Sequence, residues 1–130
     1  MSYPTSADFE EVARDIQNRR ARPIGTVDIE SRQFREFFGA SSAVVTILWH
    51  LLLENELLPK NSSICHLLWA LYFLKVYPKH GPACSVVGGT KSAVDPKTFR
   101  KWVWEFIFVI AELEVIVVSL LYKFVLHNTE

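Results

Sequence analysis

The chain has 130 residues, half of them hydrophobic and 13% aromatic, with 14 basic and 14 acidic side chains that cancel to zero formal charge. That is one domain's length with ample material for a core, so disorder throughout is excluded, and the neutral total excludes a protein that coats nucleic acid by bulk charge. The charge is unevenly placed, however: between Leu57 and Trp104 the basic residues Lys60, Lys75, Lys79, Lys91, Lys97, Arg100 and Lys101 stand against the single acid Asp95.

The opening MSYPTSADFEE is acidic and polar, unlike a secretory leader, so Cys65 and Cys84 read as reduced thiols of an intracellular protein. Asp8 and Glu11 make a D-x-x-E start for a helix over Asp8 to Arg20, packed through Phe9, Val12, Ala13 and Ile16. Arg19, Arg20 and Arg22 then precede Pro23 and Gly25, which stop the helix and leave an extended basic arm. Such an arm suits a DNA minor groove or a nuclear import signal, although most arginine clusters are surface charge.

Ser31 to Phe38 reads as a short helical turn with Phe34, Phe37 and Phe38 inward and Gly39 as its stop. Ser41 caps a longer helix to about Asn55, with Val44, Val45, Leu48, Leu51 and Leu52 at helical spacing, and Leu57-Leu58-Pro59 breaks it. Ser62 or Ser63 opens another helix to about Tyr77, striped by Ile64, Leu67, Leu68, Leu71 and Leu74 and ended by Pro78.

From Pro78 to Val94 small, turn-prone residues take over. Pro82 starts a short helix over Ala83 to Val87, and Gly88-Gly89 end it. Asp95 is then an N-cap and Pro96 fits the first helical position, so a helix begins there and runs to Leu113. At about 100° per residue, Phe99, Trp102, Val103, Phe106, Ile107, Ile110 and Leu113 share one side, while Lys97, Arg100, Lys101 and Trp104 share the other. The order of helix, short helix, turn and helix is that of a helix-turn-helix, whose second helix enters a DNA major groove.

Val115 onward is apolar and β-branched; a continued helix is the working expectation, with a strand or a partner-bound segment as alternatives. Phe106 to Leu126 has the length of a membrane span, yet Glu112, Glu114 and Lys123 lie inside it, and each charge near a bilayer centre costs about 3 kcal/mol, which argues against a membrane helix.

Catalytic and metal patterns fail on geometry. Cys65 and His66 are adjacent on a helix and point about 100° apart, so they do not converge with His80 and Cys84 on one ion. The stretch Gly88-Gly89-Thr90-Lys91-Ser92 lacks the glycines of a phosphate loop, and His50, His66 and His80 have no triad spacing with Ser85 or Cys84. Glu54/Glu56 and Glu112/Glu114 diverge by about 200° as i,i+2 pairs on a helix, which defeats a shared acid–base site. Neither an enzyme nor a cofactor or metal is expected.

Three runs in order carry a resemblance: Phe34-Arg35-Glu36-Phe37-Phe38-Gly39 before the helix holding Trp49, then LLWALYFLK from Leu67, then DPKTFRKWV from Asp95. From about Ile29 to Glu114 the chain resembles the N-terminal domain of DDE-superfamily transposases of the Harbinger and insertion-sequence-5 type. The resemblance implies a helical domain that binds double-stranded DNA, with Lys97, Thr98, Arg100 and Lys101 at recognition-helix positions and Phe99 and Val103 buried. It also implies DNA binding without cutting, because the likeness ends before the nuclease domain, as in a truncated or decayed copy; a nuclease could then lie on a separate chain.

The reading is thus an all-α small helical bundle containing a helix-turn-helix: an N-terminal helix and basic arm over 1–30, the DNA-binding domain over 31–114 and an apolar, helical tail over 115–130. The expected contacts with DNA are Lys91, Lys97, Thr98, Arg100, Lys101 and Trp104, with Arg19, Arg20 and Arg22 as a minor-groove arm, in the nucleus or in a bacterial cytoplasm. The alternative is a helical protein-interaction or self-association module, a homodimer included, in which Trp104, Phe108 and the tail form an exposed apolar patch.

Overall fold

A computed structural model describes residues 3–16, 27–76, 84, 87 and 94–128. Among them are five long helices and no strand: α1 (Ser6–Ile16), α2 (Val27–Phe38), α3 (Ser42–Glu54), α4 (Ile64–Val76) and α5 (Pro96–Asn128). The expected all-α bundle is therefore present, and Val115 to Val118 continue α5 as helix.

Four of the five helices, α1, α3, α4 and α5, start where a side chain satisfies open N–H groups. In α1 the cap sits earlier than the sequence suggests: the Thr5 N–H donates to Asp8 Oδ2 at 2.8 Å and the Thr5 carbonyl accepts from Asp8 N–H, so Asp8 is the third helical residue of a Thr-capped box. Ser41 Oγ accepts from Val44 N–H at the head of α3, as expected. At the head of α4 the Ser63 N–H donates to His66 Nδ1 at 3.0 Å, so an imidazole does the work usually given to Glu or Gln. Asp95 Oδ2 accepts from the N–H groups of Lys97 and Thr98 and opens α5.

The stops are equally local. Gly39 takes φ +83 and ends α2, and the chain turns by 51° into α3. α2 is longer than expected, beginning at Val27 and not Ser31, because no proline or glycine interrupts those residues. The stop of α3 comes before Leu57-Leu58-Pro59: Glu56 adopts φ 57, and Leu57 N–H reaches back to the Leu52 carbonyl at 2.8 Å, closing a Schellman turn without a glycine.

α4 is the centre of the bundle and packs against α1, α2 and α5. Its single predicted stripe is corrected: Leu67, Leu68, Trp69, Ala70, Tyr72 and Phe73 are all buried, while Leu74 is exposed. A helix walled on three sides has no polar face, and one stripe underestimates it. α3 keeps most of its expected face, with Leu48 and Leu51 half-buried against the core beside Val45 and Leu52, but Val44 gives way to Thr46 and Trp49. Val45, Thr46, Trp49 and Leu52 are buried and Val44 is exposed, because Trp49 lies between Phe9 of α1 and Phe106 of α5, with ring centroids 6.2 Å from each. Thr46 can face inward because its hydroxyl donates to the Ser42 carbonyl at 2.7 Å. Phe9, Ala13 and Ile16 of α1 belong to the same core, and Ser42 Oγ ties the two elements by donating to Glu10 Oε1 at 2.8 Å.

The left-handed Glu56 gives the fold a measurable weak point. A side chain in that conformation costs about 1 kcal/mol, partly offset by the entropy a glycine adds to the unfolded chain. Glu56→Gly is expected to raise stability by about 0.5 kcal/mol, read as a higher urea midpoint at unchanged slope.

Candidate nucleic-acid interface

α5 carries the candidate site on its first turns. Phe99, Trp102, Val103, Phe106 and Leu113 are buried, and Ile107 and Ile110 are half-buried, as the helical spacing predicts. Three ring contacts fix the rotation of the helix: Phe99 against Trp69 at 6.2 Å, Phe106 against Trp49 at 6.2 Å, and Trp102 stacked on His66 at 4.0 Å with the planes 5° apart. With that face held, Lys97, Thr98, Arg100, Lys101 and Trp104 are all exposed on the other. The indole of Trp104 is 46% exposed and leans on Phe73, 6.2 Å away, and on Phe108, 6.3 Å away, which leaves an apolar ring edge beside the cations.

Of the remaining expected contacts, Lys91, Arg19, Arg20 and Arg22 lie outside the described residues, as does the short helix over 83–87 except for Cys84 and Val87, which are helical and buried. The Cys84 carbonyl accepts from Val94 N–H at 3.0 Å, so this segment ties the approach to α5. Burial pushes the Cys84 thiol up, and the nearby Asp95 carboxylate adds to that, with Arg100 opposing.

One contributor was not singled out by sequence. Lys60, in the α3–α4 loop, lines a shallow groove of about 520 Å³ with Asn61, Lys101, Glu105 and Phe108, so a second lysine joins the basic face from a distant part of the chain. Only its place in the positive window between Leu57 and Trp104 hinted at this. Among the described residues no group of three or more His, Cys, Asp or Glu comes together to hold a metal ion.

His66 links the site to the core. Burial and the Lys101 charge lower its pKa from 6.5 to about 4, consistent with a ring that accepts at Nδ1 from Ser63 N–H and stacks on Trp102. Lys101 Nζ also lies 4.3 Å from the centroid of the Trp102 ring, a cation–π contact.

The cations are placed against the helix dipole. α5 has no acid in its first turn, where the partial positive charge of open N–H groups favours one, and instead has Lys97, Arg100 and Lys101 within the first turns. A solvated face selected only for stability would carry acids here. Lys101 is held in this arrangement by the Trp102 ring beneath its ammonium.

No protein-family model matches the chain, and no curated protein or solved structure matches it either.

Two outcomes follow. Lys97→Glu is expected to stabilise the fold by about 0.5 kcal/mol through the dipole, seen as an upward shift of the thermal midpoint at low salt that shrinks as salt is added. For His66 the unfolded imidazole, with its pKa near 6.5, binds a proton before the folded one, at about 4. Its contribution is therefore complete above pH 6.5 and is lost as pH falls towards 4, by about 1–2 kcal/mol after allowance for solvent at the ring. Urea titrations at pH 7 and pH 5 on the parent and on His66→Gln should show the larger pH loss in the parent.

Proposed function

We propose that this protein binds double-stranded DNA through the first turns of α5, with Lys97, Arg100 and Lys101 reaching phosphates and base edges and Trp104 flanking them. The observation that carries this reading is the exposure of all four side chains on the face opposite the buried Phe99, Trp102, Val103 and Phe106. A helix held by its back and cationic at its N-terminal turns is the arrangement that major-groove recognition needs. Three cations against the single acid Asp95 also run counter to the helix dipole, a cost that binding explains and folding does not. The likeness of the Phe34 to Gly39 run, the Leu67 run and the Asp95 run to Harbinger-type transposase N-terminal domains points the same way, towards sequence-specific binding in a helix-turn-helix manner without nuclease activity. Lys60, beside Lys101 in the α3–α4 groove, is suited to a phosphate next to the main contact.

Selection from a random-duplex library at near-physiological salt should return a motif, and the affinity for it should fall with salt by about 0.9 in the logarithmic slope for each phosphate contacted. Lys97→Glu/Arg100→Glu/Lys101→Glu should lower affinity by at least about a hundredfold and flatten that slope, while circular dichroism reports an unchanged helix content. Recovery of no motif, or binding that survives the triple reversal, overturns the reading.

A further inference from the structure

The solvent side of α5 holds a second, separate pattern. Phe108, Ala111, Val115, Val118, Tyr122 and Val125 follow one another at steps of three, four, three, four and three residues, and every one is exposed. Phe108 is 66% exposed, Val115 69% and Tyr122 65%. An alternating three-and-four step is the 3.5-residue repeat that forms the seam of a left-handed coiled coil. The seam lies well round the helix from Phe99, Val103, Phe106, Ile110 and Leu113, which the bundle covers, and after Leu113 the body covers no residue of α5 fully. At about 1.5 Å per residue, α5 thus reaches roughly 20 Å beyond its last buried side chain.

We infer that this seam pairs with the same seam of a second copy of the chain, antiparallel, to form a homodimer centred between Val115 and Val118. Side-chain size argues for this occupant and this direction. An antiparallel register sets Phe108 opposite Val125 of the second copy, Ala111 opposite Tyr122 and Val115 opposite Val118, so each large ring meets a small residue. A parallel pair sets ring on ring at Phe108 and Tyr122 and leaves a gap at Ala111, which close packing disfavours.

Charge gives the same answer. Glu112 and Lys123 lie on the same flank of the seam, near its N-terminal and C-terminal ends respectively, so antiparallel copies bring Glu112 of one alongside Lys123 of the other, whereas parallel copies bring Glu112 alongside Glu114. Antiparallel pairing also places the two bundles at opposite ends of the pair. The area suffices. Each apolar seam residue offers on the order of 100 Å², and the two aromatics more, so two helices with their flanks bury roughly 1,000 Å² together, the threshold for a stable interface. A lipid surface fits less well: the polar flank of a membrane-lying helix is rich in Lys and Arg, and here it holds Glu112 and Glu114, while no single helix among the described residues is long and apolar enough to cross a membrane.

The test uses the full chain without DNA, so its outcome is separate from the DNA reading. Sedimentation velocity between about 1 and 100 µM should give a dimer, and Val115→Glu/Val118→Glu should give a monomer with unchanged circular dichroism, since both positions are exposed. Mixing Ala111→Cys chains with Tyr122→Cys chains under mild oxidation should give the 111–122 cross-link on peptide mass mapping. A monomer at 100 µM, a dimer that survives the double substitution, or 111–111 and 122–122 links in place of 111–122 overturns the proposal. So does co-sedimentation with vesicles of mixed neutral and anionic phospholipid that the double substitution abolishes while the chain alone remains monomeric.

Discussion

Everything on α5 depends on one constraint: its rotation about its own axis. Trp49, His66 and Trp69, supplied by α3 and α4, hold Phe106, Trp102 and Phe99 respectively, and these three ring contacts span the first three turns of the helix. A turn of about 100° in either direction would bury a lysine or expose a core ring, and burying an unpaired charge costs several kcal/mol. Rings of this size resist such a turn more firmly than aliphatic contacts, because they fit only in a few orientations. The exposed cations are thus a consequence of the aromatic core. His66 adds a second dependence, since the same ring caps α4 and packs on α5, so the start of one helix and the rotation of the next are set together.

The placement of charge along α5 separates two explanations for a basic face. A surface chosen for solubility alone gains by setting acids near the start of a helix and bases near its end. α5 departs from this in its first turns, where Lys97, Arg100 and Lys101 follow the Asp95 cap, while its far end, with Lys123 and His127, keeps to it. Local preference and observed sequence disagree at these turns and agree at Asp95 and Pro96 just before them, where capping is optimal. Sequences depart from local preference in this way where a site requires it.

Much of the bundle could be read from residues alone, for physical reasons. Caps and stops are local, so Ser41, Asp95 and Gly39 were identifiable, and Phe99 to Leu113 showed their buried side because polar and apolar residues alternate there at the helical period. α3 and α4 were less legible. Both are apolar on nearly every side, so periodicity does not say which side faces in, and the outcome is set by partners far along the chain: Phe9 and Phe106 about Trp49, Phe37 and Phe99 about Tyr72 and Trp69. The end of α3 near Asn55 was legible, but the left-handed turn at Glu56 that makes it was not, because a residue other than glycine occupies that position. For the site, the cations were plain in the sequence, but Lys60 was not, since only the folded α3–α4 loop brings it to Lys101.

The basic turns and the apolar seam occupy nearly the same side of one helix, divided lengthwise between Trp104 and Phe108. Successive residues advance by about 100°, so Lys97, Arg100, Lys101 and Trp104 point within a few tens of degrees of Phe108, Val115 and Tyr122. α5 has no proline after Pro96 and no glycine, so nothing in it provides a hinge between the two regions. A duplex held at one end and a second copy held at the other would therefore keep a fixed mutual direction, set by helical geometry and not by a linker. In an antiparallel pair the two basic starts would stand about 50 Å apart, about one and a half turns of B-form DNA at 34 Å per turn. A straight duplex turns opposite sides to points spaced that way, so the geometry favours two separate duplex segments held by one dimer over a single contiguous palindrome.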